Sequence, residues 1–107
     1  MITNSKIFGQ AKPAAATPAT LCTIGVGKEG QGILTMCNQS SSIDQVRVAF
    51  VPSGGSLGVT HYVLYDTEIP ARGVAEKSFD LAAGAIISVY STFGNVSFCA
   101  DGLEVTV

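Results

Sequence analysis

The sequence contains no tryptophan, a single histidine and few charged side chains, and each shortage narrows the possible functions. Charged residues make up 13% of the 107 residues, against 47% that are hydrophobic. A chain of this composition forms a packed core and is not disordered. Its six Lys and Arg residues are scattered singly and the net charge is −2. No basic stripe is therefore expected for a phosphate backbone, which argues against nucleic-acid binding.

Long apolar runs are also missing. No run approaches the roughly 20 residues that span a bilayer, so no membrane association is expected. Residues 1–9 lack the positive start and the apolar block of a secretory signal, which predicts synthesis in the cytoplasm. Because no secretory signal is expected, the Asn-x-Ser sequences of the chain are not expected to be glycosylated.

The three cysteines, Cys22, Cys37 and Cys99, have no Cys-x-x-Cys spacing and no nearby histidine. A zinc site is therefore not expected, and no cofactor is predicted. We expect small buried thiols, with a Cys22–Cys37 or Cys37–Cys99 cross-strand pair as the alternative.

No arrangement of residues indicates catalysis. His61 is the only histidine, and its odd separation from Asp66 would place the two side chains on opposite faces of a strand. A surface imidazole bonded to a neighbouring loop or subunit is expected there. The glycine-rich segment 53–58 lacks the Lys-Ser/Thr end of a phosphate loop, and no Gly-x-Ser-x-Gly elbow occurs. We therefore predict no catalytic residue, no metal ligand and no enzymatic activity.

Two strands around that glycine-rich loop form the clearest pattern in the chain. Val46, Val48 and Phe50 alternate with polar residues, which is typical of a half-buried strand. Residues 61–65 return as a second strand rich in aromatic and branched side chains. The pattern predicts two neighbouring antiparallel strands.

Seven or eight short strands are predicted in total, with turn signals every roughly 8–12 residues and no helical period. This pattern favours an all-β fold, an antiparallel β-sandwich of jelly-roll or Ig-like type, with a single closed sheet as the competing architecture. Residues 33–38 are apolar on both sides and are expected in the centre of a sheet with both faces covered. Residues 74–79 are expected at an edge, protected by Glu76 and Lys77.

The last strand changes the side on which its apolar residues fall. They occupy even positions from Val96 to Ala100 and odd positions from Leu103 to Val107. Because neighbouring residues of a strand point to opposite faces, one extra residue would keep both groups on the core. The pattern predicts a β-bulge at residues 101–102.

The domain division follows from composition. Residues 1–20 are predicted as an extended N-terminal arm, since Pro13 and Pro18 disfavour helix and regular strand. Residues 21–107 then form a single sandwich domain. Ile7 and Phe8 are the candidate anchors of the arm, which either docks on another subunit or is a frayed end.

The aromatic residues supply the remaining candidate contacts. Tyr62 and Tyr90, with Tyr65 and Phe93, could form a contact patch for a partner or a stacking surface for a host glycan. Because the chain has no tryptophan, a partner patch or simple core packing is favoured over glycan binding.

Six segments, among them Phe-Gly-Gln-Ala-Lys-Pro and His-Tyr-Val-Leu-Tyr-Asp, resemble short, cyanophage-like virion structural proteins of tailed bacteriophages. The segments are residues 8–17, 33–40, 46–55, 61–66, 81–84 and 89–98. The chain departs from the group in its glycine-rich stretch 24–33 and in Ala85, where a polar residue is commoner.

The resemblance implies an all-β subunit of the virion, assembled in the host cytoplasm and without enzymatic activity. We expect a capsid decoration, cement or head-fibre protein; a tail, neck or baseplate subunit and a receptor- or glycan-binding module are the alternatives. The expected partners are copies of the chain itself, with a trimer favoured by analogy, and other virion proteins such as a capsid or tail protein.

Overall fold

A computed structural model describes residues 2–107 as eight strands and one short 3-10 turn at Val59–His61. The strands are β1 (Ile2–Ala11), β2 (Ala19–Thr23), β3 (Lys28–Asn38), β4 (Asp44–Val51), β5 (Tyr62–Ile69), β6 (Val74–Leu81), β7 (Ile86–Ser91) and β8 (Val96–Thr106). The predicted pair of strands around the glycine-rich loop is confirmed, because β4 and β5 are antiparallel neighbours.

The strands form two four-stranded sheets. The long sheet has the order β1-β8-β3-β6 and the short sheet the order β2-β7-β4-β5. All neighbours are antiparallel. The all-β, antiparallel prediction is confirmed, and two separate sheets, not one closed sheet, are compatible with a β-sandwich. Within this order β1 pairs with β8, β2 with β7, β3 with β6 and β4 with β5.

Side chains from both sheets form the core. Leu34 and Met36 of β3 and Phe98 of β8 are at most 1% exposed, and they share one buried cluster with Val48 of β4 and Val89 of β7. Burial of each such side chain contributes roughly 1.5–3 kcal/mol. This shared cluster holds the two sheets together.

The N-terminal segment differs from the predicted arm over residues 1–20. Ile2–Ala11 is extended as expected, but it pairs along its length with β8 as an edge strand of the long sheet. The Phe8 ring packs edge-to-face on Phe79, with ring centroids 5.5 Å apart. The sandwich therefore begins at β1, and only Met1 lies outside the described residues. Half of the residues of β1 are polar, so its own sequence pattern does not place it in the sheet, and its position depends on pairing with β8.

The prediction of a β-bulge at residues 101–102 is wrong for β8, which pairs with β3 without a register shift. The extra residue lies in the neighbouring strand instead. Ile7 pairs with Asp101 and Gly9 with Ala100, so Phe8 is inserted between them. This bulge turns residues 8 and 11 of β1 toward the core, where both pack.

Paired glycines let β3 and β8 approach each other closely at the same level. Gly32 and Gly102 are register partners, and a Cβ on Gly102 would overlap the carbonyl oxygen of Gln31. The regular alternation of β8 leaves Leu103 pointing outward with 42% exposure. The switch of the apolar residues of β8 from even to odd positions therefore places Leu103 on the outward side of the sheet.

The prediction that residues 33–38 lie in the centre of a sheet with both faces covered is correct for the central position and wrong for the coverage. β3 lies between β8 and β6, as expected for a central strand. Its inward Leu34 and Met36 are fully buried, whereas Ile33 on the other side is 40% exposed. Only one face of the long sheet is covered, because the short sheet packs on that face alone. The predicted edge position of β6 is confirmed.

Candidate functional site

The outer face of the long sheet consists of the side chains that point away from the core. Alternate positions of β1, β8, β3 and β6 supply it. Its exposed apolar members come from all four strands: Ile7 (60%), Val74 (60%), Leu103 (42%) and Ile33 (40%). A sheet surface with exposed aliphatic side chains on every strand is typical of a contact surface.

A carboxylate stands near the middle of this outer face. Asp101 of β8 is the register partner of Ile7 on β1 and of Ile33 on β3. Directly opposite residues of antiparallel strands have Cβ atoms about 4.5–5.5 Å apart. Two aliphatic side chains therefore flank the charge, and Leu103 follows two positions along the same strand.

The outer face carries net negative charge, and Lys12, which lines a depression at one end of the face, is the one cation among its described residues. Its four acidic residues are exposed: Glu29, Glu76, Asp80 and Asp101. Neither salt bridge found within residues 2–107 involves them. Lys6, Lys28 and Lys77 occupy inward positions of β1, β3 and β6. The outward strand positions thus carry acidic, apolar and uncharged polar side chains.

A shallow depression of about 390 Å³ marks one end of the outer face. Its lining includes Cys37, Cys99 and Gln10, and the Gln10 amide donates to Cys99 Sγ at 3.6 Å. None of the three cysteines forms a disulfide. The prediction of a small buried thiol holds for Cys22, where burial raises the pKa of the thiol. The other two cysteines are half-buried and face outward.

The outer side of the short sheet carries an aromatic cluster. The Arg47 guanidinium lies between two rings, with its carbon 4.3 Å from the Tyr65 centroid and 4.5 Å from the Tyr90 centroid. Its Nε donates to Asp66 at 2.7 Å. Tyr62 contacts Tyr65 edge-to-face at 5.0 Å. One face of each ring is therefore covered by the chain's own arginine, and cation–π contacts of this kind stabilise the sheet.

A bulge in β5 produces this arrangement. The register of β4 and β5 shifts between Val46 and Val48, and Asp66 has a φ of 49°. A positive φ in a bulge turns the side chain out of the regular alternation. Asp66 and Tyr65 can therefore both reach Arg47.

A buried carboxylate holds the turn between β7 and β8. Asp44 is fully buried and its carboxylate accepts four hydrogen bonds. One comes from the Ser91 hydroxyl at 2.7 Å. The other three come from the backbone N–H groups of Phe93 (3.1 Å), Asn95 (3.1 Å) and Gln45 (2.7 Å). Burial by itself raises the pKa of Asp44, but these hydrogen bonds outweigh burial and hold the pKa below its usual value. The exposed Phe93 ring is therefore presented on a fixed turn.

The structure separates the four predicted contact residues. Ile7 lies on the outer face, whereas Phe8 is partly buried and packs against the core of its own domain. Tyr62 and Tyr90 belong to the aromatic cluster on the opposite sheet. Sequence reasoning missed the rest of the outer face, although the parity change at Leu103 was a signal for it.

The part of the chain that the structure describes contains no group of three or more His, Cys, Asp or Glu side chains placed to hold a metal ion. His61 Nδ1 accepts a hydrogen bond from the Gly58 N–H at 3.0 Å, which confirms the predicted loop-bonded imidazole. Residues 2–107 include no helix of the length and apolarity needed to cross a bilayer.

Comparisons of the chain with protein-family models, with curated proteins and with solved structures found no match. The outer face of the long sheet and the aromatic cluster of the short sheet are the two surfaces that carry the proposals below.

Proposed function

We propose that this protein is a non-enzymatic structural subunit of a tailed-phage virion, carried on the capsid as a decoration, cement or head-fibre protein. The observation that carries the proposal is the outer face of the long sheet. A small domain that exposes aliphatic side chains on four adjacent strands is suited to lasting contact with a neighbour. The phage assignment comes from the sequence segments that resemble virion proteins. A tail, neck or baseplate position is the alternative.

We infer that the sandwich is of the jelly-roll type. The four pairings β1 with β8, β2 with β7, β3 with β6 and β4 with β5 correspond to one long hairpin rolled into two sheets. Ig-like sandwiches divide their strands differently, as ABED and CFG. Jelly rolls are found in viral capsid domains and in lectin domains, so this fold suits the proposal without deciding it.

The alternative from another class is a receptor- or glycan-binding module, which the aromatic cluster favours. Sugar recognition commonly needs a free aromatic face, and here Arg47 covers one face of Tyr65, which is 56% exposed, and one face of Tyr90. The cluster therefore fits a structural role better. Binding to host surface polysaccharide that is lost in Tyr62→Ala or Tyr90→Ala, with folding intact, would instead establish the glycan-binding function.

Quantitative mass spectrometry of purified particles tests the main proposal. We expect the protein in intact virions, at a copy number in the hundreds for the capsid or in the tens for a tail position, because copy number follows the symmetry of the assembly. Its absence from intact particles would contradict the proposal.

A further inference from the structure

We propose that the outer face of the long sheet docks on a basic surface of a different virion protein, and not on a second copy of this chain. The inference rests on the proposed function, since it names the kind of partner that a virion subunit would contact. The charge distribution and the register of the sheet carry it.

The first step concerns charge. Four carboxylates occupy outward positions of the sheet, and none of them forms a salt bridge within residues 2–107. Within the described residues no Lys or Arg occupies an outward position of these strands, and Lys12, directly after β1, is the one cation at the end of the face. Interfaces place complementary potentials opposite each other, so the matching surface carries lysine or arginine.

The second step excludes the same face of another copy. A two-fold contact between two such faces would set four carboxylates against four carboxylates, with Lys12 at one end of each face as its one cation. Like charges juxtaposed at an interface are strongly unfavourable. Any self-association of the chain therefore uses another surface.

The third step is the arrangement of apolar and charged groups. Asp101 lies between Ile7 and Ile33 in register, so a cation that reaches Asp101 is surrounded by aliphatic side chains. A charge pair that is shielded from water in this way is screened less by salt than an exposed pair. Asp101 is the residue on which recognition should depend most.

The fourth step is size. Four strands at about 4.8 Å spacing, along about ten residues of β3, make a face of about 600 Å². Specific interfaces bury about 800 Å² on each partner, and weaker ones bury less. The outer face is therefore large enough for one small interface on a particle.

Zero-length carbodiimide cross-linking of intact particles identifies the partner. This reagent joins carboxylates to amines in direct contact, and the pair Lys6–Glu104 at 2.7 Å serves as an internal control. We expect Asp101, Glu76 or Asp80 to be joined to lysines of a different protein. Cross-links from these carboxylates only to another copy of this chain would overturn the inference. Arginine does not react with this reagent, so if no cross-link forms while the control pair reacts, the charge-reversal test below decides.

Charge reversal supplies the matched test. Asp101→Lys should lower the number of copies per particle by about tenfold or more, because it sets a cation against the basic partner. Glu68→Lys makes the same charge change at an exposed site on the short sheet and should leave the copy number unchanged. Thermal unfolding of both purified variants checks that they are folded.

The two proposals fail differently in this experiment. Absence of the wild-type protein from particles would overturn the proposed function, and the inference with it. Wild-type incorporation together with equal incorporation of Asp101→Lys would overturn the inference alone and leave the proposed function standing.

Discussion

At the scale of single residues, Asp44 shows how a buried charge can stabilise an all-β domain. Each of its carboxylate oxygens accepts two hydrogen bonds, and three of the four donors belong to residues 91–95. A buried charge is unfavourable unless it is paired or fully hydrogen-bonded. Here the hydrogen bonds meet that requirement and connect the start of β4 to the turn before β8.

Replacing this carboxylate should destabilise the fold. In Asp44→Asn one acceptor oxygen becomes an amide donor that faces backbone N–H groups, so buried donors lose their partner. We expect a loss of about 2–4 kcal/mol in the free energy of unfolding at neutral pH, measured by urea denaturation. Asp80→Asn, at an exposed carboxylate, should change it by less than about 0.5 kcal/mol.

The stability difference between wild type and Asp44→Asn should also depend on pH. The folded pKa of Asp44 lies below its unfolded value, so its stabilisation is complete above the unfolded pKa of about 3.9 and is lost as pH falls through the folded pKa. The stability difference between wild type and Asp44→Asn should therefore shrink as the pH is lowered below about 4. An equal difference at low and neutral pH would show that the carboxylate charge is not its source.

At the scale of elements, β1 combines a structural side and a surface side. Its bulge turns Phe8 into the core against Phe79, while the preceding Ile7 is 60% exposed beside Asp101. Adjacent residues of one strand therefore have different roles. This makes them a matched pair for separating folding from attachment.

Phe8→Ala should lower the free energy of unfolding by about 2–3 kcal/mol, at or below the lower end of the range for truncating a buried aromatic side chain, because Phe8 is only partly buried. Ile7→Ala should change it by less than about 0.5 kcal/mol and should instead lower incorporation into particles. Urea denaturation and copy number per particle measure the two effects. Stability equal to wild type in Phe8→Ala would mean that β1 is a free arm, as the sequence had suggested.

The edge strands as a group discourage strand-to-strand aggregation. Register shifts interrupt β1, β2 and β5. The fourth edge, β6, is regular but carries Glu76, Lys77 and Asp80. Bulges and charges are the usual protection of an open edge, so self-association should use side-chain surfaces and not sheet extension.

At the scale of the whole molecule, we keep the expectation of self-association, with a trimer as the favoured state. If the outer face is reserved for a basic partner, Asp101→Lys should leave the oligomeric mass unchanged while it lowers incorporation into particles. Multi-angle light scattering of the purified wild type and variant measures the mass. A stable wild-type monomer at micromolar concentration would contradict the trimer, and a mass altered by the variant would place the self-contact on the outer face.

The sequence by itself determined the all-β class, the β4–β5 pair and the edge position of β6. Period-2 alternation and glycine-rich turns are local signals, and they act within a few residues of the chain. His61 was predicted correctly for the same reason, since its partner Gly58 lies three residues away.

Only the tertiary structure decided the position of β1, the site of the bulge and the composition of the outer face. Each depends on pairing between distant segments: β1 pairs with β8 from the other end of the chain, and Asp101 meets Ile7 and Ile33 only through that register. The alternation in β8 revealed that apolar residues change sides at Leu103. Which of those sides faces water was settled by the packing of the short sheet on one face of the long sheet alone, because a strand's pattern does not specify which of its faces a second sheet will cover.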